Sequence, residues 1–114
     1  MLEERITIRP ANGTWVVRAG GAVIGESKAA LELRETGRDP VIYFPRADLG
    51  MAFLEPTELL THCPYKGDAK HFSIAAKSGL IENAAWSYET PIESVADITD
   101  HIAFYSDKAT VEEL

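Results

Sequence analysis

The stretch "TWVVRAGGAVIGES" constrains the fold more than any other part of the chain. Apolar runs Trp15–Val17 and Ala22–Ile24 flank Gly20-Gly21, and a glycine pair supplies the positive φ angles that a tight two-residue hairpin turn demands. A chain that turns so sharply between two apolar runs pairs them as antiparallel strands. A second stretch, "KHFSIAAKSGLIENAAWSYE", repeats the pattern with its turn at Ser78-Gly79. The two hairpins echo each other at a fixed offset: Trp15 falls on Phe72, Val17 on Ile74, Val23 on Leu80 and Ile24 on Ile81. A duplicated half-domain is one explanation. The other is that any two hairpins share an alternating pattern.

The remaining segments add short strands more readily than helices. "RITIRP" alternates Ile6 and Ile8 with polar neighbours, the period of a half-buried strand. "DPVIYFPR" is β-rich and bracketed by Pro40 and Pro45, so its strand is short and lies at an edge or deep inside. "KAALELRE" suits a short helix or a strand, since Leu31 and Leu33 alternate with charges. "RADLGMAFLEPTELLTHCPYKG" reads mainly as loop with short strand pieces. In "SVADITDHIAFY", Val95, Ile98, Ile102 and Tyr105 share a face at helical spacing with Ser94 and Asp97 as caps, although "IAFY" also suits a closing strand. No linker or low-complexity segment divides the chain, and residues 1–114 read as one domain.

Charge excludes some functions. Eighteen acidic against eleven basic residues give a net charge of −7, which repels phosphate backbones, and no basic run offsets it. Nucleic acid is therefore not an expected partner. The start "MLEERITIRP" has no apolar core of a leader, and no stretch approaches membrane-spanning length. With one cysteine there is no internal disulfide, and the chain reads as cytoplasmic. The carboxylate pairs Glu3-Glu4 and Glu112-Glu113 read as solvated charge.

Chemistry-bearing residues concentrate in "THCPYKG". Pro64 holds Cys63 extended and Gly67 supplies a positive φ, so the segment is a shaped turn. Adjacent residues of an extended segment point to opposite faces, which separates His62 from Cys63. A base for Cys63 would have to be His71 or His101, and Lys66 would lower the thiol pKa across the turn if the thiol were exposed. The plainer reading of Cys63 is a small apolar group packed beneath the turn. His62, Cys63, His71 and His101 lack the short paired spacing of structural zinc sites, so no metal or other cofactor is expected. Gly20-Gly21 sits between two strands and matches no phosphate-binding loop. "VIYFPR" and "AAWSYE" each present two rings. Trp86 and Tyr88, two apart, share a strand face that can stack a planar ligand or simply join the core. Arg46 can bind an anion bidentately or form an ordinary salt bridge.

Taken together, "VIYFPRADL", "LEPTELLTHCPYKGDAKHFSI", "ENAAWSYETP" and "ADITDHIAFYSDK" resemble the bacterial family catalogued as domain of unknown function 427, over nearly the whole chain. The resemblance implies a compact, mainly β domain of β-tent-like type, alongside methionine sulfoxide reductase B and the cereblon ligand-binding domain, with antiparallel hairpins and at most one or two short helices. Many β-tent relatives hold zinc through two Cys-x-x-Cys pairs, which a single cysteine cannot supply. A nucleotidyltransferase-like label is sometimes attached to the family. This chain lacks both a glycine turn leading into a helix and a spaced Asp pair for magnesium. Where the family pattern usually ends Phe-Tyr-Trp, this chain has Ser106, which weakens the case for an aromatic lid there.

Three readings of function compete. In the first, Tyr43, Arg46, Tyr65, Trp86 and Tyr88 bind a small molecule, anionic or nucleotide-like, while His62, Cys63 and Lys66 are the candidates for any catalytic step. In the second, Trp86, Tyr88 and exposed strand edges form a homodimer or partner face. In the third, the motifs are only turn and core chemistry.

Overall fold

The computed structural model describes residues 5–114, so the Glu3-Glu4 pair lies outside the described residues. Among these described residues are ten strands: β1 (Ile6–Pro10), β2 (Trp15–Ala19), β3 (Ala22–Ser27), β4 (Leu31–Glu35), β5 (Val41–Tyr43), β6 (Leu54–Cys63), β7 (Gly67–Ala76), β8 (Gly79–Ser87), β9 (Ile102–Phe104) and β10 (Thr110–Glu113). All pairings are antiparallel. They form three sheets, in the orders β1-β4-β5, β10-β2-β3 and β6-β7-β8-β9. No α-helix occurs among the described residues, and Arg46–Asp48, Met51–Phe53 and Glu93–Ile98 are 3-10 turns. None of these helical segments is long and apolar enough to cross a membrane.

The four-stranded sheet carries apolar side chains on both faces, which sets the layering. On one face Phe72, Ile74, Ile102 and Phe104 pack with Val17, Ala19 and Ile24 of the β2–β3 hairpin. On the other, Ala69, Ala103 and Trp86 pack with Leu33, Tyr43 and partly buried Ile6 and Ile8. β9 shows the mechanism in three residues: Ile102 and Phe104 point one way and Ala103 the other, as strand alternation dictates. Phe44 and Ile102 exchange two backbone hydrogen bonds of 2.8 Å, tying the end of β5 to β9.

Several sequence expectations resolve here. "KAALELRE" is a strand. "SVADITDHIAFY" divides: Glu93–Ile98 makes a kinked 3-10 turn without a side-chain cap, and "IAF" is the closing strand β9. Asp100, with φ of 63°, turns the chain between them and stops any helix from running through. The expectation of mainly loop before "THCPYKG" was wrong, because β6 runs ten residues. Pro56 is tolerated there because β6 is an edge strand, and its register shifts between Pro56 and Leu60. The two hairpins match near their turns, Ala19 opposite Ala22 and Ala76 opposite Gly79. Their flanks differ, since β1 leaves to pair β4 while β6 stays beside β7. The echo belongs to the hairpins alone.

Candidate functional site

The turn of "THCPYKG" is built as its residues require. Cys63 pairs with Gly67 across the β6–β7 hairpin, and the Lys66 N–H donates to the Cys63 carbonyl at 3.2 Å. Pro64 occupies the second position of that turn, where its fixed φ belongs, and Gly67 follows with φ of 113°. His62 and Cys63 diverge. The imidazole Nδ1 of His62 meets Asp68 Oδ1 at 2.7 Å on the outer side, with 67% of its side chain exposed. Cys63 packs against the core that holds Leu33 and Tyr43.

A cavity of about 360 Å³ opens between the β1-β4-β5 sheet and the four-stranded sheet. Tyr43, Cys63, Lys66, Trp86 and Tyr88 line it, and His62 reaches its rim. Three short segments, far apart in sequence, thus deliver their rings and polar groups to one concave space. Arg46 and Tyr65 lie elsewhere. The Arg46 guanidinium donates to the Asp100 carbonyl at 2.6 Å, to Ser87 Oγ at 3.1 Å and to Glu89 at 2.9 Å, stitching three loops together. Tyr65 is exposed, with the Arg5 guanidinium 3.9 Å above its ring.

Sequence reasoning missed Glu35, Arg38 and Tyr105 as lining residues. Glu35 had a legible signal: with period two it shares the inward face of Leu31 and Leu33, an unusual place for a carboxylate. Its partner is Lys66, whose Nζ donates to Glu35 Oε1 at 2.6 Å, with side chains only 10% and 5% exposed. Arg5 stands 3.6 Å and Arg38 4.0 Å from the same carboxylate. On the lining itself Arg38 and Lys66 balance Glu35 and Asp39, and Arg5 stands outside it against Glu35.

The aromatic wall is continuous. Trp86 meets Tyr43 edge-on at 6.2 Å and Tyr105 at 4.5 Å, and Tyr105 in turn stacks on His71 at 5.9 Å. Burial pushes the phenols of Tyr43, Tyr88 and Tyr105 above the usual tyrosine pKa. For Tyr43 the N–H that Trp86 donates to its oxygen works the other way and is outweighed. Trp86, Val41 and Asp39 also border a neighbouring cavity of about 500 Å³ among Trp15, Phe104 and Ser106. No bulky ring fills that space at Ser106.

Among the described residues, Cys63 has no hydrogen bond to a histidine. His101 Nδ1 lies 3.0 Å from the Thr99 carbonyl and His71 Nε2 lies 2.8 Å from the Tyr105 hydroxyl. Nor do three or more His, Cys, Asp or Glu side chains gather as metal ligands among those residues. The arrangement is equipped to hold a ligand by stacking, hydrogen bonding and charge.

A family model described as Domain of unknown function (DUF427) matches residues 7–113, nearly the whole chain. No curated protein matches it.

Proposed function

The chain belongs to the DUF427 family, and on that footing we propose that it binds a small planar molecule bearing an anionic group in the cavity beside Lys66. The observation that carries this reading is the convergence of Tyr43, Cys63, Lys66, Trp86 and Tyr88 on one space of small-molecule size. A second support is the Glu35–Lys66 pair. Buried ion pairs recover little more than their desolvation cost, so stability alone is a weak reason to keep one at a cavity wall. The ring of the ligand stacks on Trp86 and Tyr105, and its charge approaches the end where Arg5, Arg38 and Lys66 surround Glu35. Cys63 contributes to the wall of the cavity, and the proposal assigns it no covalent step.

The homodimer reading draws less support. Tyr88 is only 5% exposed and lines the cavity with Trp86, so these rings do not form an outward face.

A thermal-shift screen against nucleotides and aromatic acids tests the proposal. A ligand at a hundredfold excess over its Kd should raise the melting temperature by about 10 °C or more. The Trp86→Ala variant should lose that shift. A broad screen with no stabilising compound, or a shift that Trp86→Ala leaves intact, would count against it.

A further inference from the structure

Two of the phenols on the cavity wall are held from behind by nitrogen. Trp86 Nε1 lies 3.2 Å from the Tyr43 hydroxyl, and an indole nitrogen can only donate. The Tyr43 oxygen is therefore the acceptor, and its own proton is left unspent. Behind Tyr105 stands His71, fully buried, with Nε2 at 2.8 Å from the hydroxyl. Its other nitrogen, Nδ1, is buried with no partner. If Nδ1 carried the proton, a buried N–H would be orphaned. With the proton on Nε2, only a lone pair goes unused. Orphaned buried N–H groups are the rarer and costlier case. The imidazole thus donates Nε2–H to the Tyr105 oxygen, which frees the Tyr105 proton as well.

Tyr88 completes the set. Among the described residues its hydroxyl has no hydrogen-bond partner, and it lines the same cavity as Tyr43 and Tyr105. Building on the small-molecule reading above, we propose that Tyr43, Tyr88 and Tyr105 form an array of hydrogen-bond donors that recognises acceptor oxygens, with His71 as the positioning residue for Tyr105. The ligand then presents a carboxylate, phosphoryl or carbonyl oxygen to the freed phenol protons. A phenol is protonated throughout the neutral range, and burial raises the pKa of all three further, so they remain donors there.

The test uses the full chain labelled with nitrogen-15, and three probes that share a ring: benzoate, phenyl phosphate and benzylamine. Multiple-bond proton–nitrogen NMR should show His71 protonated at Nε2 and bare at Nδ1. In titrations, benzoate or phenyl phosphate should move the Trp86 indole and Tyr88 ring resonances, and which of the two binds more tightly identifies the oxyanion. Benzylamine at the same concentration should leave those resonances in place. Tyr105→Phe should weaken the bound acid by about fivefold or more. Tyr88→Phe serves the same purpose if the first variant does not fold. A proton on Nδ1, or benzylamine binding as tightly as the acids, would overturn the donor array while leaving a ligand cavity. Failure of all three probes would remove the cavity reading itself, and the donor array with it.

Discussion

Lys66 is where sequence and structure bear on each other most closely. In the sequence it sat beside Cys63 as a modifier of the thiol, whereas in the structure its ammonium is committed to Glu35 at 2.6 Å. Removing Lys66 takes away the shortest contact of the buried Glu35 carboxylate and leaves it with the more exposed Arg5 and Arg38. Lys66→Met should therefore cost about 2 kcal/mol in urea denaturation, the worth of a lost hydrogen bond to a charged group. Adding Glu35→Leu should recover most of that loss, since replacing both partners with apolar groups is often neutral or better. A double variant no more stable than Lys66→Met would mean the pair is not coupled as described. The phenols give a second prediction at this scale. Their folded pKa values lie above the unfolded value, so the folded state holds its protons where the unfolded state releases them. Their contribution is fully present below about pH 10 and is lost as pH rises beyond it, through the folded values. Folding free energy should fall above pH 10, and Tyr88→Phe should flatten that fall.

Elements rest on a few backbone positions. Gly67 begins β7 with φ of 113°, and a Cβ there would meet its nearest neighbours at an ordinary 3.5 Å. The penalty of Gly67→Ala is thus conformational, about 1–3 kcal/mol, and the turn that presents Lys66 should loosen with it. Gly25 is the opposite case, since its φ is unremarkable but a Cβ would come within 2.6 Å of the Asp48 carbonyl oxygen. Gly25→Ala should separate β3 from Leu49 and destabilise the domain by several kcal/mol, read as a large drop in melting temperature. Much at this scale was legible in the sequence. Period two marked the strands, Gly20-Gly21 marked the first hairpin, Ser78-Gly79 marked the second one residue past its actual turn at Lys77-Ser78, and Pro64 with Gly67 marked the β6–β7 turn. What escaped is informative. β6 hid behind Pro56 because edge position, which excuses a proline, is set by the partners of a strand and not by its own residues. Of the two readings of "SVADITDHIAFY", the closing strand holds for "IAF", because pairing with β8 and with Phe44 claims it against the helical spacing.

At the scale of the whole molecule, the four-stranded sheet with cores on both faces creates the site. The cavity lies on one face only, where the short β1-β4-β5 sheet does not cover it fully. That is why Tyr43, Cys63 and Trp86 could be named from sequence as interesting residues, while their meeting in one pocket was only one of three readings. Their convergence depends on three sheets stacking in one order, and no local pattern encodes that. Glu35 and Tyr105 were missed for the same reason, although the inward period of Glu35 was there to read. The central claim is that these side chains form one ligand site, and amide chemical-shift mapping tests it most directly. During titration with the strongest compound from the thermal screen, shifts should cluster at Glu35, Tyr43, Cys63 to Lys66, Trp86 to Tyr88 and Tyr105. Saturable shifts centred instead on the exposed Leu59 and Leu60, with the cavity residues unmoved, would contradict it.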